Sequence, residues 1–174
     1  MLIILLHFFA FTAVTSSAFD AHSSLSGFFW IQNSMTHRVL DVEMGSTEPG
    51  ANVLLWEPKK AGYDNQLWSY EDEVFVNKRS NLVLYLPSVG DQVIRGTSLI
   101  QAKPINQKDG VDDDDPMERY KRSWGVDPQG RIFSWLDDNF CIAPGEGVSV
   151  VVEDCFFGDV DDMVWRFVPA QPVR

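Results

Sequence analysis

Alternation of apolar and polar residues dominates the pattern along this chain, and no window sustains a helical period. Phe29-Trp30-Ile31-Gln32-Asn33 reads as a strand, followed by the turn-like Ser34-Met35-Thr36-His37. Arg38-Val39-Leu40-Asp41-Val42 is a second strand and Asn52-Val53-Leu54-Leu55-Trp56 a third, separated by the Gly/Pro-bearing cluster Gly45 to Gly50. A loop from Pro58 to Gly62 leads to a fourth strand, Asn65-Gln66-Leu67-Trp68-Ser69-Tyr70. Short strands joined by turns predict an all-β fold.

The pattern then restarts. Val74-Phe75-Val76-Asn77 repeats the first strand, and Asn77 to Tyr85 repeats the interval from Asn33 to Asp41. A third strand at Thr97 to Gln101, an insertion from Asn106 to Tyr120 and a strand holding Trp124 complete this unit. A third unit runs through Arg131 to Trp135, Phe140 to Ala143 and Val148 to Val152, and ends on Trp165-Arg166-Phe167. Three self-similar units of about 40 to 50 residues predict a repeat architecture. A closed three-fold barrel is its compact form, because closure removes the sheet edges. The tryptophan ending each unit (Trp68, Trp124, Trp165) is then expected in one shared core, each ring burying ~150–250 Å2. The unit boundaries fall at about 28–72, 73–128 and 129–168, inside one domain of 28–170 with a tail at 171–174.

Composition adds a compartment. Met1 to Ala18 contains no Asp, Glu, Lys or Arg, and its apolar run from Leu2 to Val14 ends in Ser16-Ser17-Ala18. This predicts a signal peptide at 1–18, a short lead-in at 19–27 and a secreted protein. The run is shorter than the ~20 residues of a membrane span, and no other stretch is long enough, so no span is expected after signal removal. The net charge of −11 argues against nucleic acid and anionic membranes as partners and is read as a solubility charge. In an exported chain Cys141 and Cys155 are expected to form a disulfide worth roughly 3 kcal/mol; without export they would be free thiols.

Candidate chemistry is sparse. The cysteines have no histidine pair beside them, and Asp112-Asp113-Asp114-Asp115 lacks the alternating ligands of a calcium loop, so no metal or cofactor is expected. Past residue 18 the histidines are His22 and His37, and no triad or paired carboxylates stand out. An enzyme is therefore not predicted.

Leu40-Asp41-Val42 early in the first unit and Asn65-Gln66-Leu67-Trp68 at its end, with degenerate echoes ending in Trp124 and Trp165, resemble the ricin B-chain type of lectin domain. The resemblance covers about Phe28 to Pro169 and implies a β-trefoil. It implies a sugar site made by Asp41, Trp56 and Asn65, with Lys59 as a further polar contact. It also implies glycan partners, commonly galactose or N-acetylgalactosamine. Leu54 departs from the polar residue usual at its position, and Arg122 and Met163 replace the motif glutamine in the later units. Tyr85, Ala102 and Lys121 in the second unit, and Ala143, Glu153 and Asp162 in the third, replace the site residues, so neither is expected to hold a sugar of this type.

The residue types suit that chemistry. A carboxylate accepts from two hydroxyls, an amide donates and accepts, and an indole face covers a C–H patch. Alternation along the strands sends Leu40 and Leu55 inward and Asp41 and Trp56 outward. Gln66 is read as structural, bonding the backbone around the Asn65 turn. Each site residue has another reading: Asp41 paired with Arg38, Trp56 covered by a loop, Asn65 bonding its own turn. A trefoil without a working sugar site, acting as a protein-binding or protease-inhibiting module, is the alternative function. The sequence does not fix the oligomeric state.

Overall fold

The computed structural model describes residues 25–105 and 116–170. The expected signal peptide, most of the lead-in, the acidic run Asp112 to Asp115 and the tail at 171–174 lie outside the described residues. Among the described residues, no helix is long and apolar enough to cross a membrane.

Among the described residues, twelve short strands build the domain. The first unit contributes β1 (Phe29–Asn33), β2 (Val39–Val42), β3 (Val53–Trp56) and β4 (Trp68–Glu71). The second contributes β5 (Val74–Asn77), β6 (Val83–Tyr85), β7 (Ile100–Ala102) and β8 (Trp124–Val126). The third contributes β9 (Ile132–Ser134), β10 (Phe140–Pro144), β11 (Val150–Asp154) and β12 (Trp165–Pro169). Strand β1 pairs antiparallel with both β4 and β12, β4 with β5, and β8 with β9. Trp124 N–H donates to the Glu73 carbonyl (2.8 Å), and a bridge joins Arg131 to Val164, so the barrel closes.

The hairpins β2/β3, β6/β7 and β10/β11 cap one end of the barrel. Their inner strands knit together: Val53 N–H donates to the Leu99 carbonyl (3.0 Å) and Leu99 N–H to the Val150 carbonyl (2.9 Å). This is the β-trefoil, with the three units related by a pseudo-three-fold axis.

The symmetry is legible atom by atom. The indole N–H of Trp68 donates to the Leu40 carbonyl (3.2 Å), that of Trp124 to the Leu84 carbonyl (3.1 Å), and that of Trp165 to the Ile142 carbonyl (2.9 Å). All three rings lie in one core with Phe29, Ile31, Phe75 and Leu99. A buried indole needs both an apolar surround and an acceptor, and the hairpin strand supplies the acceptor. Asn33 and Asn77 recur for a second reason. Each buried Oδ1 accepts from the backbone N–H groups two and three residues on, and holds a turn whose last residue, His37 or Asn81, has positive φ.

Two expected elements differ. The fourth strand of unit one begins at Trp68, not Asn65. Residues Asp64–Gln66 form a 3-10 turn, because the Asn65 and Gln66 side chains turn in toward β2 and take the backbone out of the ladder. The insertion carries a short helix, α1 (Pro116–Tyr120), which at five residues is too short to show a period in sequence. Cys141 and Cys155 form the expected disulfide, with both cysteines buried.

Candidate functional site

The outer edge of the first hairpin gathers the residues singled out by sequence. In the β2/β3 ladder Asp41 lies opposite Leu54, and Val39 opposite Trp56. Leu40 and Leu55 face the core, which puts Leu54 and Trp56 on the outer face, with Trp56 48% exposed.

Asp41 points away from the core as expected, but it is not open to solvent: it is only 4% exposed. The chain after β3 folds back across it. Asn65 Nδ2 donates to Asp41 Oδ1 (2.7 Å) and Gln66 Nε2 to Asp41 Oδ2 (2.8 Å). Lys59 Nζ forms an ion pair with Asp41 Oδ2 (2.8 Å) and donates to Asn65 Oδ1 (3.0 Å). A carboxylate this buried is tolerable only when hydrogen-bonded and paired, and here it is both. Arg38 is not its partner; its guanidinium bonds Glu57 instead (3.0 Å).

Gln66 is scaffold, but of a different kind from the one expected. Its Oε1 accepts from Lys59 N–H (2.9 Å), and its Nε2 donates to the Glu57 carbonyl (2.9 Å) as well as to Asp41. It therefore clamps the segment carrying Lys59 onto Asp41. The Asn65 turn is held elsewhere, by Gln66 N–H to the Tyr63 carbonyl (2.8 Å) and by Asn77 Nδ2 to the Asn65 carbonyl (3.1 Å). Asn77 is the positioning residue that sequence reasoning missed. Its recurrence with Asn33 was the available signal.

The equivalent places in the other units follow from the ladder register, Tyr85 opposite Ile100 and Ala143 opposite Val151. In unit two, Arg122 stands in for Gln66: its Nε donates to the Lys103 carbonyl (3.0 Å), as Gln66 does to Glu57. Its guanidinium lies 4.6 Å from the Tyr85 ring centre. Glu118 of α1 accepts from Lys121 (2.8 Å) and Arg122 (2.6 Å). Burial opposes ionisation of Glu118, but the hydrogen bonds and charges of Lys121 and Arg122 outweigh it and hold the carboxyl below its ordinary pKa. Burial, then the Glu118 charge, pushes the Tyr85 phenol up.

In unit three the place is apolar. Ala143 and Met163 pack with Cys141, Cys155 and Phe133. Glu153, at the position of Trp56, pairs with Arg95. Asp162 stands where Asn65 does, its carbonyl accepting from Asn33 Nδ2 (2.7 Å) as the Asn65 carbonyl does from Asn77. Among the described residues no group of three or more His, Cys, Asp or Glu is arranged to hold a metal ion.

Among the described residues, only the first unit thus combines a paired carboxylate, an amide and an outward indole. Residues 15–102, just over half of the chain, match the profile of the ricin-type beta-trefoil lectin domain-like family. Mucoricin of Rhizopus delemar is 46% identical over 52 residues, which span 30% of this chain and 35% of mucoricin's own length. The solution structure of the mdaA-1 domain superposes with a TM-score of 0.66 at 24% identity, covering 82% of this chain and 89% of that one. The C-half of the earthworm R-type lectin, solved in complex with GalNAc, gives a TM-score of 0.60 at 18% identity, covering 81% and 97%. The chain belongs to the ricin-type β-trefoil lectin domain-like family.

Proposed function

We propose that this chain is a secreted, non-enzymatic carbohydrate-binding protein with one shallow glycan site, in its first repeat. The observation that carries the reading is the Asp41–Asn65–Lys59 cluster beside the exposed face of Trp56, an arrangement that neither later repeat has among the described residues. A hydroxyl rim would bond the cluster while the indole covers a C–H face of the sugar. The GalNAc held by the earthworm lectin makes galactose-type sugars the first to test. One shallow site is expected to be weak: a millimolar constant is about −4 kcal/mol, and higher avidity would need a multivalent partner.

A glycan array on the wild type, Trp56→Ala and Asp41→Ala tests it. Binding lost in both variants supports the reading. No binding at all, or binding untouched by either substitution, overturns it.

A protein-binding module is the second reading. Phe156 and Phe157, 65% and 72% exposed beside the plugged third position, favour it. Capture of a protein partner that free sugars do not displace would support that reading.

A further inference from the structure

Hydrogen-bonding capacity at the first-repeat site is largely spent inside the protein, and what remains has a definite polarity. Both amide hydrogens of Asn65 are used, one on Asp41 Oδ1 (2.7 Å) and one on the Val42 carbonyl (2.8 Å). Its Oδ1 faces the Lys59 ammonium at 3.0 Å. These neighbours fix the amide's orientation. A flip would set its oxygen against a carboxylate and a carbonyl, and its NH2 against an ammonium. Asn65 therefore has a lone pair to offer a ligand and no hydrogen.

Asp41, ionised, only accepts. Its Oδ2 already takes Gln66 Nε2 and Lys59 Nζ, each at 2.8 Å, which leaves room on Oδ1. Lys59 directs two N–H groups at Asp41 and Asn65 and keeps a third. Leu54, opposite Asp41 in the ladder, offers no hydrogen bond.

We infer that the site reads two adjacent ligand hydroxyls as hydrogen-bond donors only, one to Asp41 and one to Asn65, with Lys59 facing a neighbouring oxygen acceptor. The inference rests on the sugar-site reading and deepens it, by naming the donor–acceptor order that the ligand presents. The amide at Asn65, which could both give and take hydrogen bonds, is held so that it can only take them.

Deoxy and fluoro sugars separate these roles, since fluorine replaces a hydroxyl without being able to donate. The first step is to titrate the wild-type protein with methyl glycosides of galactose, N-acetylgalactosamine, glucose, N-acetylglucosamine and mannose. The second is to titrate each monodeoxy and monofluoro derivative of the tightest binder. At two adjacent positions, deoxy and fluoro derivatives should both lose about tenfold or more in affinity. At a third, the fluoro derivative should bind better than the deoxy. Lys59→Arg, which keeps a cation on Asp41 but moves its N–H groups, should change that third difference and leave the losses at the pair in place. A fluoro derivative at either position of the pair that stays within about twofold of its parent would overturn the inference alone. If none of the glycosides binds, the sugar-site reading fails and this inference fails with it.

Discussion

Asp41 keeps its charge almost out of water because three side chains reach it from one short segment. That Asp41 and Asn65 come together was legible through the resemblance of the first repeat to a lectin motif, but their direct hydrogen bond was not. Nor was the burial of Asp41. Strand alternation gives the direction of a side chain, whereas the cover over Asp41 comes from Gln66 clamping residues 57 to 59, a tertiary contact with no local pattern. Trp56, the last residue of the strand before that clamp, stays exposed as expected. Glu118 shows the same limit in the second repeat. It lies in an insertion without periodicity, yet its carboxylate pairs with Lys121 and Arg122 where the first repeat holds its cluster. Because its folded pKa is lowered, Glu118 adds stability above its unfolded value of about 4.3, and that stability is lost as pH falls through the folded value. Glu118→Gln should therefore be less stable than wild type near neutral pH, and the gap should narrow below about pH 4. Denaturant titrations on both proteins at the two ends of that range check this.

At the scale of elements, the loops after each third strand decide what each unit does. The same hairpin geometry carries an ionic clamp in unit one, a helix-borne carboxylate in unit two and a disulfide-backed apolar plug in unit three. The cysteines and the absence of the site residues from units two and three were readable as sequence. What fills the vacated places was not, because Met163 and Arg122 differ in chemistry from the glutamine they replace. Strand β8 shows a packing constraint of the same kind. A Cβ built on Gly125 would sit 2.0 Å from the Phe133 ring, so the ring needs a glycine beneath it. Phe133 in turn packs on the disulfide and stacks edge-on against Trp135 (5.0 Å between centroids). Gly125→Ala should cost about 1–3 kcal/mol in an unfolding titration, as overpacking does. A cost near zero would mean that Phe133 has room to move.

For the whole molecule, the three-fold frame was the most legible feature, because each unit ends on a tryptophan and the frame buries all three. The structure adds that each indole is tied to the hairpin of its own unit by one N–H···O=C bond. Trp68→Phe, Trp124→Phe and Trp165→Phe should therefore cost similar amounts, about 1–3 kcal/mol each from lost volume and an abandoned carbonyl. Chemical denaturation of the three variants would reveal any unit that carries more than its share. The proposed function breaks the symmetry that stability keeps, and its single site in the first repeat is the central claim. Its most direct test is a backbone amide NMR titration with the tightest-binding methyl glycoside. Shift changes should cluster at Asp41, Trp56, Lys59 and Asn65 and saturate with one ligand per chain. Changes centred on Tyr85 and Lys121, or on Ala143 and Met163, would contradict it.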